Sequence, residues 1–210
     1  MNLITPANTR TISKTKNKNQ VGSTKTIFQR IDIFDTLGSE HEKKSYHKSQ
    51  SNDGSYESLH PEQFLPEREI FLDGVLQSTR HGNEPYHEAL VHPAMFSHSN
   101  PKKVGIIGGG EGATLKEVLK HDTLEKVKMI EIDEAMVYFC KEHLPDWNSC
   151  KDIVGSTDWC GHDERAEIYY EDGLAWFNNR FSDDGRIETE EFREDPFDVL
   201  IMDALDPQVS

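Results

Sequence analysis

Apolar and polar positions alternate in two stretches of the first 80 residues, "TIFQRIDIFDTL" and "REIFLDGVLQST". A period of two predicts half-buried strands. The second stretch contains Asp73-Gly74, a tight-turn dipeptide, and is read as a strand pair. Between them "GSEHEKKSYHKSQSNDGSYESLHPEQFLPE" has no period and is rich in Ser, Lys and Glu, so it is read as a surface insertion at about residues 38–68. Residues 24–80 thus predict a small β module behind a polar, disordered tail of residues 1–23.

From Tyr86 the period changes. "YHEALVHPAMF" reads as a helix bent or interrupted near Pro93. A strand at Val104–Ile107 precedes a helix at Ala113–His121, and a strand at Lys126–Ile132 precedes a helix at Glu134–His143. "AEIYYEDGLAWF" gives strand, turn and helix again, and "FDVLIMDALDP" reads as a buried strand entering a turn. Strands alternating with helices predict an α/β fold with a doubly wound parallel sheet, here over residues 81–210. Such sheets do not leave an apolar edge open, so the pattern predicts that the sheet continues beyond residue 210.

Composition changes this picture little. A chain of 210 residues with 35% hydrophobic and 29% charged positions suits one domain with a small satellite. No apolar run reaches the roughly 18 residues of a transmembrane helix. The basic start lacks the apolar centre of a secretory signal, which leaves a tail or a transit peptide. The net charge of −15 argues against affinity for nucleic acid and is compatible with a cationic ligand. Cys140, Cys150 and Cys160 form no CxxC pair, and an odd number excludes a complete disulfide framework. A reducing, cytoplasmic setting is the simplest reading. The segment "SDDGRIETEEFREDPFD" (182–198), with eight acids and two arginines, reads as a solvated surface.

Ligands of open parallel sheets bind beyond the carboxyl ends of the strands. Those ends carry acids: Glu111 in the turn Gly108-Gly109-Gly110-Glu111, then Glu131 and Asp133, then Asp172 before Gly173, then Asp203 and Asp206. An acid ending the second strand fits ribose hydroxyls. Asp172 could instead be a helix N-cap and Asp206-Pro207 a plain turn. Glu111 discriminates between cofactors. A pyrophosphate against the helix N-terminus would be repelled by it. An S-adenosyl group has no phosphate, and without its carboxylate only cationic groups remain. Glu111 would then attract the decarboxylated form and repel the carboxylated one.

The run "FLDGVLQST…YHEALVHP…VGIIGGGEGATLKEVLKH…VKMIEIDEAMVYFCKEHLP…EDG…FDVLIMDALDP" resembles the polyamine aminopropyltransferases, the spermidine and spermine synthases. "YHE", "LVHP" and "GGGEG" look most like the thermospermine synthases among them. The resemblance implies a Rossmann-like sheet of the S-adenosylmethionine-dependent methyltransferase type. It also implies aminopropyl transfer from decarboxylated S-adenosylmethionine, a co-substrate rather than a prosthetic group, to a polyamine, with release of methylthioadenosine. By the same resemblance Gln29, Gly108, Gly110, Glu131, Asp172 and Gly173 would hold the nucleoside, Glu131 at the ribose and Asp172 at the adenine amino group. Glu111, helped by Asp203, would hold the aminopropyl ammonium. Asp203 would be the general base and Tyr86 would orient the attacking nitrogen. Asp206 would face a distal acceptor amine, and His87 would influence acceptor choice. In the family the β module often contributes to dimers, which makes a homodimer an expectation.

Two other classes compete: an S-adenosylmethionine-dependent methyltransferase, and a domain that keeps the fold only to bind or oligomerise. A zinc-peptidase helix motif is a poor fit. His87 and His92 are five apart (92 − 87), whereas a shared helix face needs four, so no metal is expected.

Overall fold

The computed structural model describes residues 18–38, 40–51, 55–153, 158–181 and 195–204. The chain opens with four strands, β1 (Lys18–Lys25), β2 (Arg30–Thr36), β3 (Glu67–Leu72) and β4 (Val75–Thr79), paired in that order as an antiparallel sheet. Between β3 and β4 the chain reverses at Asp73 (φ 49°) and Gly74 (φ 82°), the pair of left-handed residues that a two-residue hairpin requires. Between β2 and β3 lie α1 (Glu40–Ser49), α2 (Tyr56–Leu59) and a 3₁₀ turn (Pro61–Phe64).

β1 starts at Lys18, inside the stretch read as tail, because β2 offers it a full ladder of partners. The aperiodic insertion carries helices. Ser55 caps α2 by accepting from the Ser58 N–H, a local signal that an apolar-period search does not register.

The second sheet is parallel, in the order β7-β6-β5-β8: β5 (Lys103–Gly108), β6 (Lys126–Ile130), β7 (Ala166–Tyr169) and β8 (Val199–Asp203). Its central strands bury most of their apolar positions, while Lys126 and Lys128 of β6 alternate with Val127 and Met129 and stay partly exposed. Val104, Ile106, Val127, Met129 and Ile201 are buried between helices α3 (Arg80–Ser97) and α4 (Ala113–Leu119) and the remaining core. α3 is a single helix despite Pro85 and Pro93, starting six residues before the expected Tyr86 (86 − 80). Its start is set by Thr79, whose hydroxyl accepts from the Gly82 N–H.

A second core joins the two sheets. Ile31, Ile33, Ile70 and Leu72 of the antiparallel sheet pack with Ala113, Met136, Cys140, Leu144 and Trp147. Met136 and Cys140 lie on α5 (Glu134–His143), and Trp147 on the short α6 (Pro145–Asn148). Arg68 of β3 reinforces the junction, donating to the His143 carbonyl at 2.8 Å while paired with Asp35. α7 (Gly173–Phe181) follows β7.

The cysteine argument for a reducing compartment does not hold as made. Cys150 and Cys160, ten apart in sequence, form a disulfide within the core of the parallel sheet, and Cys140 remains free and buried. Among the described residues no helix is long and apolar enough to cross a membrane.

Candidate active site

The order β7-β6-β5-β8 reverses direction between β5 and β8, and the crevice at such a reversal is where open α/β sheets bind ligands. The glycine turn lies in it. Gly108 (φ 83°) and Gly109 (φ 85°) are left-handed, and Gly112 (φ 82°) caps the start of α4 in the same conformation. At Gly108 space is decisive, since a Cβ there would stand 2.2 Å from the Asp203 carbonyl oxygen. The turn and the end of β8 are also bonded, Gly109 N–H donating to that carbonyl at 3.0 Å.

The Asp203 side chain turns back into the crevice. Its Oδ2 accepts from the Thr114 hydroxyl at 2.5 Å and lies 3.9 Å from His87 Nε2. His87 is 2% exposed and its Nδ1 is 2.7 Å from the Asn83 carbonyl. A carbonyl only accepts, so Nδ1 carries the proton and the other ring nitrogen faces Asp203. Tyr86 stands edge-on to His87 and is 57% exposed.

Glu111 is the least comfortable group in the site. Its Oε2 is buried with no hydrogen-bond partner. Burial, reinforced by the nearby negative charge of Asp203 and only partly offset by a bond with Ser78, pushes its carboxyl up to about 8. A buried acid beside a second acid is a site that lacks a positive charge.

Glu131, 7% exposed, lies across the turn. A Cβ on Gly110 would come within 3.1 Å of its Oε2 and of Met136 Sδ, so a larger residue there would crowd both side chains. Burial raises its carboxyl against bonds from the Asp133, Ile132 and Gly110 N–H groups. Asp133 does not face a ligand. It caps α5 by accepting from the Met136 N–H, and its Oδ2 accepts from Thr26 at 2.7 Å and from Gln29 Nε2 at 3.1 Å. Gln29 therefore reaches the acid loop from the antiparallel sheet, with its amide 3.2 Å from Met136 Sδ.

Asp172 is exposed and accepts from the Ala175 N–H at 2.8 Å, at the start of α7. It is thus a helix cap as well as a strand-end acid. A Cβ on Gly173 would approach Ile107 to 3.0 Å. Asp206 lies outside the described residues, as do residues 182–194 of the acidic segment.

The structure therefore brings Gly108, Gly110, Glu111, Glu131, His87 and Asp203 together, while Asp172 keeps the same sheet end. Thr114, Asn83 and Ser78 escaped the sequence reading because each acts through a neighbour. Only Thr114 left a trace, a polar residue on what becomes a fully buried helix face.

A spermine/spermidine synthase domain matches residues 83–210. A polyamine aminopropyltransferase 1 of Hyperthermus butylicus is 44% identical over 138 residues, 66% of this chain and 41% of that protein. A polyamine aminopropyltransferase of Thermococcus kodakarensis is 35% identical over 192 residues, 91% of this chain and 51% of that protein. The spermidine synthase of Thermotoga maritima superposes with a TM-score of 0.60 at 31% identity, covering 89% of this chain and 48% of the other. A spermidine synthase in complex with the transition-state analogue AdoDATO gives 0.62 at 31% identity, covering 90% and 47%. The chain spans about half the length of these relatives. Matched by the domain over more than half its residues, in a fold shared with solved synthases, the chain belongs to the spermine/spermidine synthase family.

Proposed function

We propose that the protein transfers an aminopropyl group from decarboxylated S-adenosylmethionine to a polyamine and releases methylthioadenosine. The buried Glu111 oxygen without a partner, beside Asp203 at the glycine turn, carries this reading. The donor's ammonium is the charge that this pair lacks, and a donor keeping its carboxylate would bring a further negative charge to the same place.

The residues divide the work as follows. Glu131 accepts from the ribose hydroxyls, with Gly108 and Gly110 admitting the nucleoside close to the backbone. Asp172 and Gly173 meet the adenine, and Gln29 braces the acid loop through Asp133. Asp203 takes the acceptor's proton through Oδ1, since Thr114 occupies Oδ2. The freed nitrogen lone pair attacks the carbon next to the sulfonium. The C–S bond breaks and its electron pair returns to sulfur as the neutral thioether. Tyr86 orients the attacking nitrogen and Asp206 holds a distal ammonium.

The acceptor is spermidine in this proposal, with His87 at the selecting position, as the likeness to thermospermine synthases implies. A homodimer through the antiparallel sheet and a cytoplasmic location complete the reading. Calorimetry tests the donor. Decarboxylated S-adenosylmethionine should bind at least about tenfold more tightly than the carboxylated form, a difference of about 1.4 kcal/mol. Equal affinities would instead favour a methyltransferase. Incubation with putrescine, spermidine or spermine, with product isomers resolved, tests the acceptor.

A further inference from the structure

Away from the crevice, α3 and α4 face each other with a second set of ionisable side chains that the transfer reaction does not use. α3 contributes a carboxylate and an imidazole four residues apart, Glu88 and His92, and α4 contributes Glu117, with His121 just beyond its C-terminal end. Four residues is about one turn, so Glu88 and His92 share a face. His87 points away from His92, toward Asp203, and the residue that shares a face with His92 is Glu88.

One ligand atom each from Glu88, His92 and Glu117 lie within 4.8 Å of one another. Glu117 is 3% exposed, and among the described residues its buried Oε2 is met only by the ion-pairing nitrogens of His92 and Lys120. That oxygen faces His92 Nε2 at 3.3 Å. The other nitrogen of His92 is 3.0 Å from His121 Nε2. When His121 accepts from the His92 Nδ1–H, the lone pair of His92 Nε2 is aimed at the space between the two carboxylates. An imidazole fixed in this way by an outer hydrogen bond is the usual arrangement of a metal-ligating histidine.

We propose that Glu88, His92 and Glu117 form a binding site for a divalent transition-metal ion of the zinc class. One imidazole nitrogen and two carboxylates, with a remaining position for water, suit such an ion better than magnesium or calcium, which prefer all-oxygen shells. An open groove of about 600 Å³ lined by His92, Lys120 and His121 gives access. Lys120 is the competitor: its ammonium lies 2.7 Å from Glu117 Oε2, and its side chain, 33% exposed, can swing into solvent as the ion enters. A bound ion would clamp the helix that carries Tyr86 and His87 to the helix that follows the glycine turn.

The test is calorimetric titration of the chelator-treated 210-residue chain with Zn²⁺ alone. One ion per chain is expected. Glu88→Ala alters an accessible side chain and should keep the fold while weakening binding at least about tenfold through loss of a ligand. Lys120→Ala should tighten it, because the competing cation is gone. Absence of binding, binding indifferent to Glu88→Ala, or weaker binding in Lys120→Ala would overturn the proposal and leave an ion-pair network in its place.

Discussion

Glu111 and Asp203 share one crevice but differ in their surroundings. Asp203 has the Thr114 hydroxyl on one oxygen, whereas Glu111 leaves a buried oxygen without a partner and its carboxyl rises to about 8. A raised acid stabilises the fold fully below its unfolded value near 4.5, and that contribution is lost as pH climbs through about 8. Urea melts of Glu111→Gln should therefore lose less stability than the parent between these limits, by on the order of 1–3 kcal/mol at the alkaline end. The same group predicts that a cationic donor displaces a proton when it binds at neutral pH. Calorimetry in buffers of different ionisation enthalpy should register that release in the parent and not in Glu111→Gln. Asp203→Asn keeps the Thr114 partner but removes the base, and should lower turnover at least about 10²-fold while methylthioadenosine affinity changes little. Unchanged turnover would reject Asp203 as the base.

The turn between β5 and α4 and the end of β8 form one unit. Gly108→Ala would drive a methyl group into the Asp203 carbonyl from a left-handed residue, and should cost about 2 kcal/mol or more and weaken donor binding. Gly74→Ala is the control: equally left-handed with nothing within 4 Å, it should cost only about 1 kcal/mol in the same denaturation assay. Such elements were legible in the sequence because alternation and glycine placement are local. The parallel strands and the tip acids Glu111, Glu131 and Asp203 follow from short-range patterns. What sequence missed was set at long range. β1 is a polar run that becomes a strand only because β2 pairs with it. The roles of Thr114 and Asn83 depend on which face of a helix meets the crevice. The α3–α4 cluster depends on the packing of two helices, which brings Glu117 to the Glu88 and His92 pair.

Across the whole molecule, cross-links decide which parts melt together. The Cys150–Cys160 bond closes a short loop against the parallel core, and reduction should lower stability by about 2–3 kcal/mol on the chain-entropy account. A Cys150→Ser/Cys160→Ser double variant should show the same lowered denaturation midpoint without reductant and no further change when reductant is added. The antiparallel sheet is joined to the helices of the parallel unit by an apolar core and by bonds from Thr26 and Gln29 to Asp133. Asp133 is two residues from Glu131 and donates its N–H to that carboxylate. On the proposed reading, in which Glu131 holds the ribose, the grip on a sugar is set in part by residues more than a hundred positions upstream. A descendant stripped of its antiparallel front could still assemble a four-stranded parallel platform, yet it would lose nucleoside recognition first.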